Sequence, residues 1–134
     1  MKRIVWSAEM KSGVPQIDEQ QKKLAGIVNQ LAMAKEEGVD QEELSPIIRD
    51  FSEHLKDYFA CEVRMFERYS PKNAPKHDEQ RKIELADINS FRDRHKRGEE
   101  ITEESVDYLH DWLVQHVLVA DKSAADLMKS RGAK

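Results

Sequence analysis

The 134 residues of this chain suffice for one domain with a substantial hydrophobic core, and not for two. Lysine and arginine total 22 against 26 aspartates and glutamates, giving a formal net charge of −4 with both signs interleaved. This balance excludes nucleic acid as the expected partner, because phosphate binding requires a concentrated basic face. The lone Cys61 excludes an internal disulfide, and no apolar stretch has the length of a membrane span. We therefore expect a cytoplasmic protein without membrane insertion.

The first part of the chain predicts an arm followed by a helix. Residues 1–17 lack helical periodicity and contain Gly13 and Pro15, so they predict the arm. From residue 18 to residue 37 apolar residues recur every three or four positions, which predicts an amphipathic helix. Gly38 follows as a usual C-terminal stop.

The second predicted helix spans about residues 41–69, and its start has two interpretations. Asp40 with Glu43 resembles a capping box. Pro46, however, belongs in the first turn of a helix, which favours Ser45 as the cap instead. The sequence leaves both possibilities open.

Two further helices complete the pattern. The third is predicted over residues 75–97, and the fourth over 102–130, where Glu103 and Glu104 suit the positive end of the helix dipole. No strand pattern or internal repeat is present. Four long amphipathic helices with short links predict an all-α protein, an up-down-up-down four-helix bundle with an N-terminal arm, in a single domain over residues 1–134.

Polar residues interrupt the apolar stripes of these helices. They are Gln21, Glu62, His77, Arg81, His116 and Asp121. Burying an ionisable group without a partner is costly, so such residues satisfy one another, hold a metal or perform chemistry. No Ser/His/Asp or Cys/His arrangement and no phosphate-binding glycine loop is apparent, so we expect no enzymatic activity.

The order of these residues resembles the hemerythrin family, specifically the bacterial single-domain hemerythrins. The resemblance runs from Trp6 to Lys122. The matching residues are Trp6, Gly13, Val14, Ile17, Asp18 and Gln20, then Phe59, Glu62, Met65 and Tyr69, then His77, and finally Trp112, Leu113, His116, Asp121 and Lys122.

The resemblance implies a four-helix bundle whose centre holds two iron ions. In the family the ligands are five histidines and two bridging carboxylates, and oxygen binds at one iron. Carried over by position, Glu62 and Asp121 are the bridging carboxylates. The resemblance likewise makes His77 and His116 ligands of one iron.

Three positions depart from this ligand set. Gln21, Tyr58 and Arg81 stand where the family has histidine. Glutamine is a poor neutral donor for iron, and a guanidinium stays cationic and has no lone pair. Each missing ligand weakens metal affinity. We therefore expect a degenerate site with no reversible oxygen binding and no cofactor. Tyr58 would fill the vacated volume and bond Glu62 or Gln21.

Arg81 itself has two interpretations. Glu62 and Asp121 would repel each other in a core without metal, and a guanidinium at a former ligand position can neutralise them. Glu84, one turn further along the helix, would be an additional partner. Alternatively, Arg81 extends along the helix surface to water. We favour the internal ion pair.

A competing interpretation retains a metal. Glu62, His77, His116 and Asp121 form a set of two histidines and two carboxylates, to which Tyr58 can add a phenolate. Such a set suits one zinc, iron or manganese ion, or a residual pair of irons. Two functions follow. The favoured one is a non-catalytic structural or interaction module working with other protein subunits. The alternative is a metal-binding protein for oxygen or iron sensing, storage or transport.

Overall fold

A computed structural model describes residues 2–116 and 122–133. Over these ranges the chain forms five α-helices and a short 3₁₀ turn, Ala8–Met10, without any strand. The helices are α1 (Pro15–Glu36), α2 (Gln41–Tyr69), α3 (Ala74–Lys96), α4 (Glu103–Gln115) and α5 (Lys122–Ser130). The predicted all-α bundle is confirmed.

Helix α1 begins at Pro15, earlier than the predicted start at residue 18. Proline suits the first turn, because its fixed φ is helical and its missing N–H would have no intrahelical partner there. At the other end Gly38 has φ +75°. Gly38 N–H bonds Lys35 C=O at 3.2 Å and Val39 N–H bonds Ala34 C=O at 3.1 Å, which is a Schellman motif.

Helix α2 begins directly after Asp40, so the structure decides between the two starts left open by the sequence. The capping box does not form, because the Asp40 side chain accepts no cap hydrogen bond. Glu43 N–H instead bonds the Asp40 backbone C=O at 2.9 Å. Pro46 lies inside the helix, on its exposed side, where the lost backbone hydrogen bond faces water.

The predicted fourth helix, 102–130, is represented by α4 and α5. Thr102 caps α4, and its Oγ1 accepts a hydrogen bond from Ser105 N–H at 3.1 Å. Residues 117–121 lie outside the described residues, and with them the predicted bridging carboxylate Asp121.

The core of the described residues is mainly apolar, with a few buried polar side chains. Helix α2 packs against α1 and α3, and α1 packs against α4. Side chains with almost no exposure come from four helices: Leu24, Leu31, Leu55, Phe66, Leu109, Leu113 and Met128. Each such side chain stabilises the fold by about 1.5–3 kcal/mol relative to exposure. On α3, the buried residues are Ala74, Arg81, Ile88 and Phe91, so a charged residue occupies a core position.

The N-terminal arm is fastened to the bundle by polar contacts. The Asn29 side chain accepts a hydrogen bond from Ile4 N–H at 2.7 Å and donates to Ile4 C=O at 2.8 Å. Lys2 Nζ bonds Asp111 of α4 at 2.9 Å. The arm therefore bridges α1 and α4. Among the described helices, we find none with the length and apolar character of a membrane span.

Candidate functional site: a buried cluster of charged side chains

Three helices bring charged side chains together inside the bundle. Helix α2 contributes Glu62, α3 contributes Arg81 and Glu84, and His116 directly follows the end of α4. Glu62, Arg81 and His116 are 1%, 4% and 5% exposed, and Glu84 is half-buried. Charged groups withdrawn from water to this degree must compensate one another.

The Arg81 guanidinium bridges the two carboxylates. Arg81 Nη2 lies 3.2 Å from Glu62 Oε2, and Arg81 Nη1 lies 3.3 Å from Glu84 Oε2. Its Cζ atom also lies 5.6 Å from the centroid of the Phe59 ring. The predicted internal ion pair is therefore observed with Glu62, and Glu84 is the predicted additional partner, whereas the other predicted partner, Asp121, lies outside the described residues. The alternative, in which Arg81 extends to water, is wrong.

His116 faces the same two carboxylates. Its Nε2 lies 3.7 Å from Glu62 Oε1, and its Nδ1 lies 3.5 Å from Glu84 Oε2. Two basic side chains thus alternate with two carboxylates in a closed ring. We call this set of residues, Glu62, Arg81, Glu84 and His116, the charge ring. With His116 protonated, the formal charges of the charge ring sum to zero.

The basic members of the charge ring change the pKa of Glu84. Burial by itself would raise the pKa of Glu84, but the hydrogen bond and charge of His116 and the charge of Arg81 act in the opposite direction. The pKa of Glu84 is consequently lowered from its ordinary 4.5. Glu84 therefore remains a carboxylate at neutral pH.

Aromatic rings surround the His116 side of the charge ring. The His116 imidazole stacks on Trp112, with centroids 5.3 Å apart and an interplanar angle of 8°. The Phe59 ring lies 5.3 Å from the imidazole, and Tyr58 meets it edge-on at 6.3 Å. An apolar enclosure strengthens every charge interaction within it. The spacing of Trp112 and His116, four residues apart, is the only sequence signal for this stacking.

Gln21 and Tyr58, two of the three positions at which the family resemblance predicts a histidine, lie next to each other. Both side chains are buried, and Gln21 Nε2 donates a hydrogen bond to Tyr58 Oη at 2.9 Å. This contact is one of the two that we predicted for Tyr58.

His77 occupies a different environment from His116. Its imidazole stacks on the Phe66 ring, with centroids 3.6 Å apart and an interplanar angle of 9°. Burial, followed by the charges of Arg81 and Lys76, lowers the pKa of His77 from its ordinary 6.5. Within residues 2–116 and 122–133, no group of three or more His, Cys, Asp or Glu side chains is arranged to hold a metal ion. Metal binding by Glu62, His77, His116 and Asp121 stays a prediction.

Comparison of the sequence with known proteins finds distant relatives but no matching family model. Bacteriohemerythrins of Pseudomonas aeruginosa strains LESB58 and UCBPP-PA14 are 22% identical over 129 residues, which is 96% of this chain and 84% of each relative. The bacteriohemerythrin of Stenotrophomonas maltophilia strain R551-3 is 23% identical over 130 residues, 97% of this chain and 84% of that protein. The chain is a distant relative of the bacteriohemerythrins.

The structure shows what Gln21, Tyr58 and Arg81 contact at the three positions where the family resemblance predicts histidine. Gln21 and Tyr58 bond each other, and Arg81 bonds Glu62 and Glu84. All three side chains are therefore committed to contacts within the protein. Sequence reasoning identified each of these residues, but treated Glu84 only as a secondary partner of Arg81.

Proposed function

We propose that this hemerythrin-like chain has lost di-iron oxygen binding and acts as a non-catalytic structural or interaction module. The observation that carries the proposal is the buried Arg81 guanidinium, 3.2 Å from Glu62 and 3.3 Å from Glu84. A guanidinium keeps its charge and has no lone pair to give a metal. In this position it repels a cation from the carboxylates that would bind one.

The remaining donors also fit a two-iron centre poorly. Glu62, which the family resemblance makes a bridging carboxylate, faces both Arg81 and His116. Gln21 directs its amide N–H at Tyr58. A di-iron centre requires nitrogen and oxygen donors free to turn their lone pairs toward the metals. We therefore derive no oxygen chemistry for this site.

The charge ring offers a physical substitute for the missing metal charge. Two carboxylates in an apolar core repel each other unless cations balance them. Arg81 supplies one permanent positive charge from the polypeptide, and His116 supplies a second when it is protonated. The fold then needs no bound metal for its integrity, and other protein subunits are the partners that we propose for such a module.

The decisive test is metal loading of the wild-type chain beside a variant with the ligands restored. Protein should be purified aerobically and also loaded anaerobically with Fe(II), followed by elemental analysis and absorption spectroscopy. We expect the wild type to hold no stoichiometric iron and to lack oxo-to-iron charge-transfer bands. The combined variant Gln21→His, Tyr58→His and Arg81→His should gain iron. Two irons per wild-type chain with charge-transfer bands would overturn the proposal.

One observation favours the alternative function, a metal-binding protein for oxygen or iron sensing, storage or transport. One imidazole and two carboxylates lie near one another, since His116 Nε2 is 3.7 Å from Glu62 Oε1 and His116 Nδ1 is 3.5 Å from Glu84 Oε2, and these are donor types that bind divalent cations. The contacts use opposite ring nitrogens and are not arranged to hold a metal ion, so a single cation would require these side chains to turn and Arg81 to leave the cluster. A titration with Zn²⁺ or Mn²⁺ separates the two functions, because one metal per wild-type chain would support the alternative.

A further inference from the structure

Apart from the charge ring, a concave site lies on the outer face of the bundle, between α2 and α3. Its volume is about 280 Å³. Helix α2 lines it with Phe59, Ala60 and Val63, and α3 with Leu85. The spacing of these residues places them on adjoining faces of the two helices. We call this site the α2–α3 groove.

The walls of the α2–α3 groove are apolar. The Phe59 ring, only 3% exposed, forms the buried part of the wall, while Val63 and Leu85 are half-buried. Ala60 is exposed and its single methyl group leaves space that a longer side chain would fill. An apolar cavity of about 150 Å³ accepts benzene, so the groove has room for an aryl ring or a medium-length alkyl chain.

Cationic side chains surround this apolar surface. Lys56 and Lys82 line the groove, and Arg81 adds a guanidinium on the side of the core. Among the described residues of the lining, Asp78 is the only carboxylate, and it already pairs with Lys82 at 3.1 Å. Among the described residues, Lys56 has no carboxylate within ion-pair distance. Because Asp78 pairs with Lys82, and Glu62 and Glu84 pair with Arg81, Lys56 is the cation of the described lining that remains available to an anionic ligand.

We propose that the α2–α3 groove binds a small amphipathic carboxylate, of the class of medium-chain or aryl-alkyl carboxylic acids. Its apolar body lies against Phe59, Val63 and Leu85, and its carboxylate meets Lys56. Apolar lining with a small number of placed polar groups is typical of small-molecule sites, and a volume near 300 Å³ is at their lower limit. The proposal goes beyond the module function and does not depend on the metal content of the protein.

The test is an NMR titration of ¹⁵N-labelled full-length protein with octanoate and with 4-phenylbutyrate. We expect saturable shifts confined to amides around Ala60, Val63 and Leu85. Lys56→Glu should weaken octanoate binding at least about tenfold, because it replaces attraction by repulsion. Ala60→Trp should abolish binding by filling the groove. Lys23→Glu, the same charge change on an exposed position of α1, is the matched control.

Four outcomes would overturn this proposal. The first is shifts scattered over the surface, and the second is equal octanoate affinity of wild type and Lys56→Glu. The third is binding of neutral octanol as tight as that of octanoate, because the carboxylate would then contribute nothing. The fourth is an acidic amphipathic peptide that shifts the groove amides while octanoate and 4-phenylbutyrate do not. Because Ala60 and Lys56 are exposed, their variants should fold, and thermal unfolding verifies this.

Discussion

Arg81 is the side chain that compensates the charge of two carboxylates in the core. The guanidinium compensates Glu62 and Glu84 in a space from which water is largely excluded. Pairing of this kind contributes little net stability compared with an apolar core of the same shape. Its removal is nevertheless costly, because the two carboxylates would then remain without their main counter-charge.

The first prediction concerns this residue. Arg81→Met should lower the free energy of unfolding by about 3–5 kcal/mol, the usual cost of breaking a buried ion pair. Urea denaturation measures the change. Arg64→Met, at an exposed position of α2, is the control and should change stability by less than about 0.5 kcal/mol. An unchanged unfolding midpoint for Arg81→Met would contradict the role of the charge ring.

The second prediction is a pH dependence at His77. Because the folded-state pKa of His77 is lowered from 6.5, the unfolded chain binds a proton more readily than the folded one. The stability contributed by His77 is present above 6.5 and is lost as the pH falls through the lowered folded value. In His77→Gln the decline of the melting temperature below pH 6.5 should therefore be shallower than in wild type. Parallel curves for the two proteins would assign the decline to other groups.

At the scale of the helices, two glycines differ in whether alanine can replace them. Gly38 adopts φ +75° at the end of α1, whereas Gly26 lies inside α1, where an added Cβ would meet nothing within 4 Å. Gly38→Ala should destabilise the protein by about 1–2 kcal/mol, because a left-handed residue with a Cβ is strained. Gly26→Ala should stabilise it by about 0.5–1 kcal/mol. Denaturation of both variants measures the difference, and equal effects would contradict the Schellman end of α1.

The sequence predicted which segments are helical, but it predicted their first and last residues less well. Periodicity identified the helical segments because apolar residues must face one core. The start of α1 at Pro15 and the start of α2 after Asp40 were not determined, since proline and cap preferences differ by only about 1 kcal/mol. Packing of the helix faces against one another decides such small differences.

The members of the candidate site were also predictable, but their partnerships were not. The positions of Glu62, Arg81 and His116 on the apolar stripes indicated a polar cluster. Which carboxylate meets which base depends on side-chain rotamers and on how closely α2, α3 and α4 approach, and neither is visible in a one-dimensional pattern. Glu84 therefore entered the prediction as a secondary partner, although it contacts both bases.

At the scale of the whole molecule, the arm links elements that are distant in sequence. Asn29 holds both backbone groups of Ile4, and Lys2 reaches Asp111 on α4. The pKa of Asp111 is lowered by hydrogen bonds from His110 and Lys2, followed by their charges. The arm is thus a clamp over the seam between α1 and α4.

A fourth prediction tests this clamp. Asn29→Ala should release Ile4 and increase amide hydrogen exchange in residues 2–12 by at least about tenfold, because both bonds to Ile4 are lost together. The exchange of α2 should remain unchanged. Asn89→Ala, a half-buried asparagine on α3, is the control and should leave exchange of the arm as in wild type. Uniform exchange across all regions would mean that the arm unfolds only with the whole domain.

The charge ring also limits which substitutions this sequence can accept in evolution. A histidine introduced at position 81 by itself would remove the cation that holds Glu62 and Glu84, before any iron could be retained at the incomplete set of donors. A loss of about 3–5 kcal/mol is a large share of the 5–15 kcal/mol that keeps a typical domain folded. Replacement of Arg81 by a metal ligand would thus pass through poorly folded intermediates unless the other donor positions changed with it, so the arginine opposes the gain of an iron site.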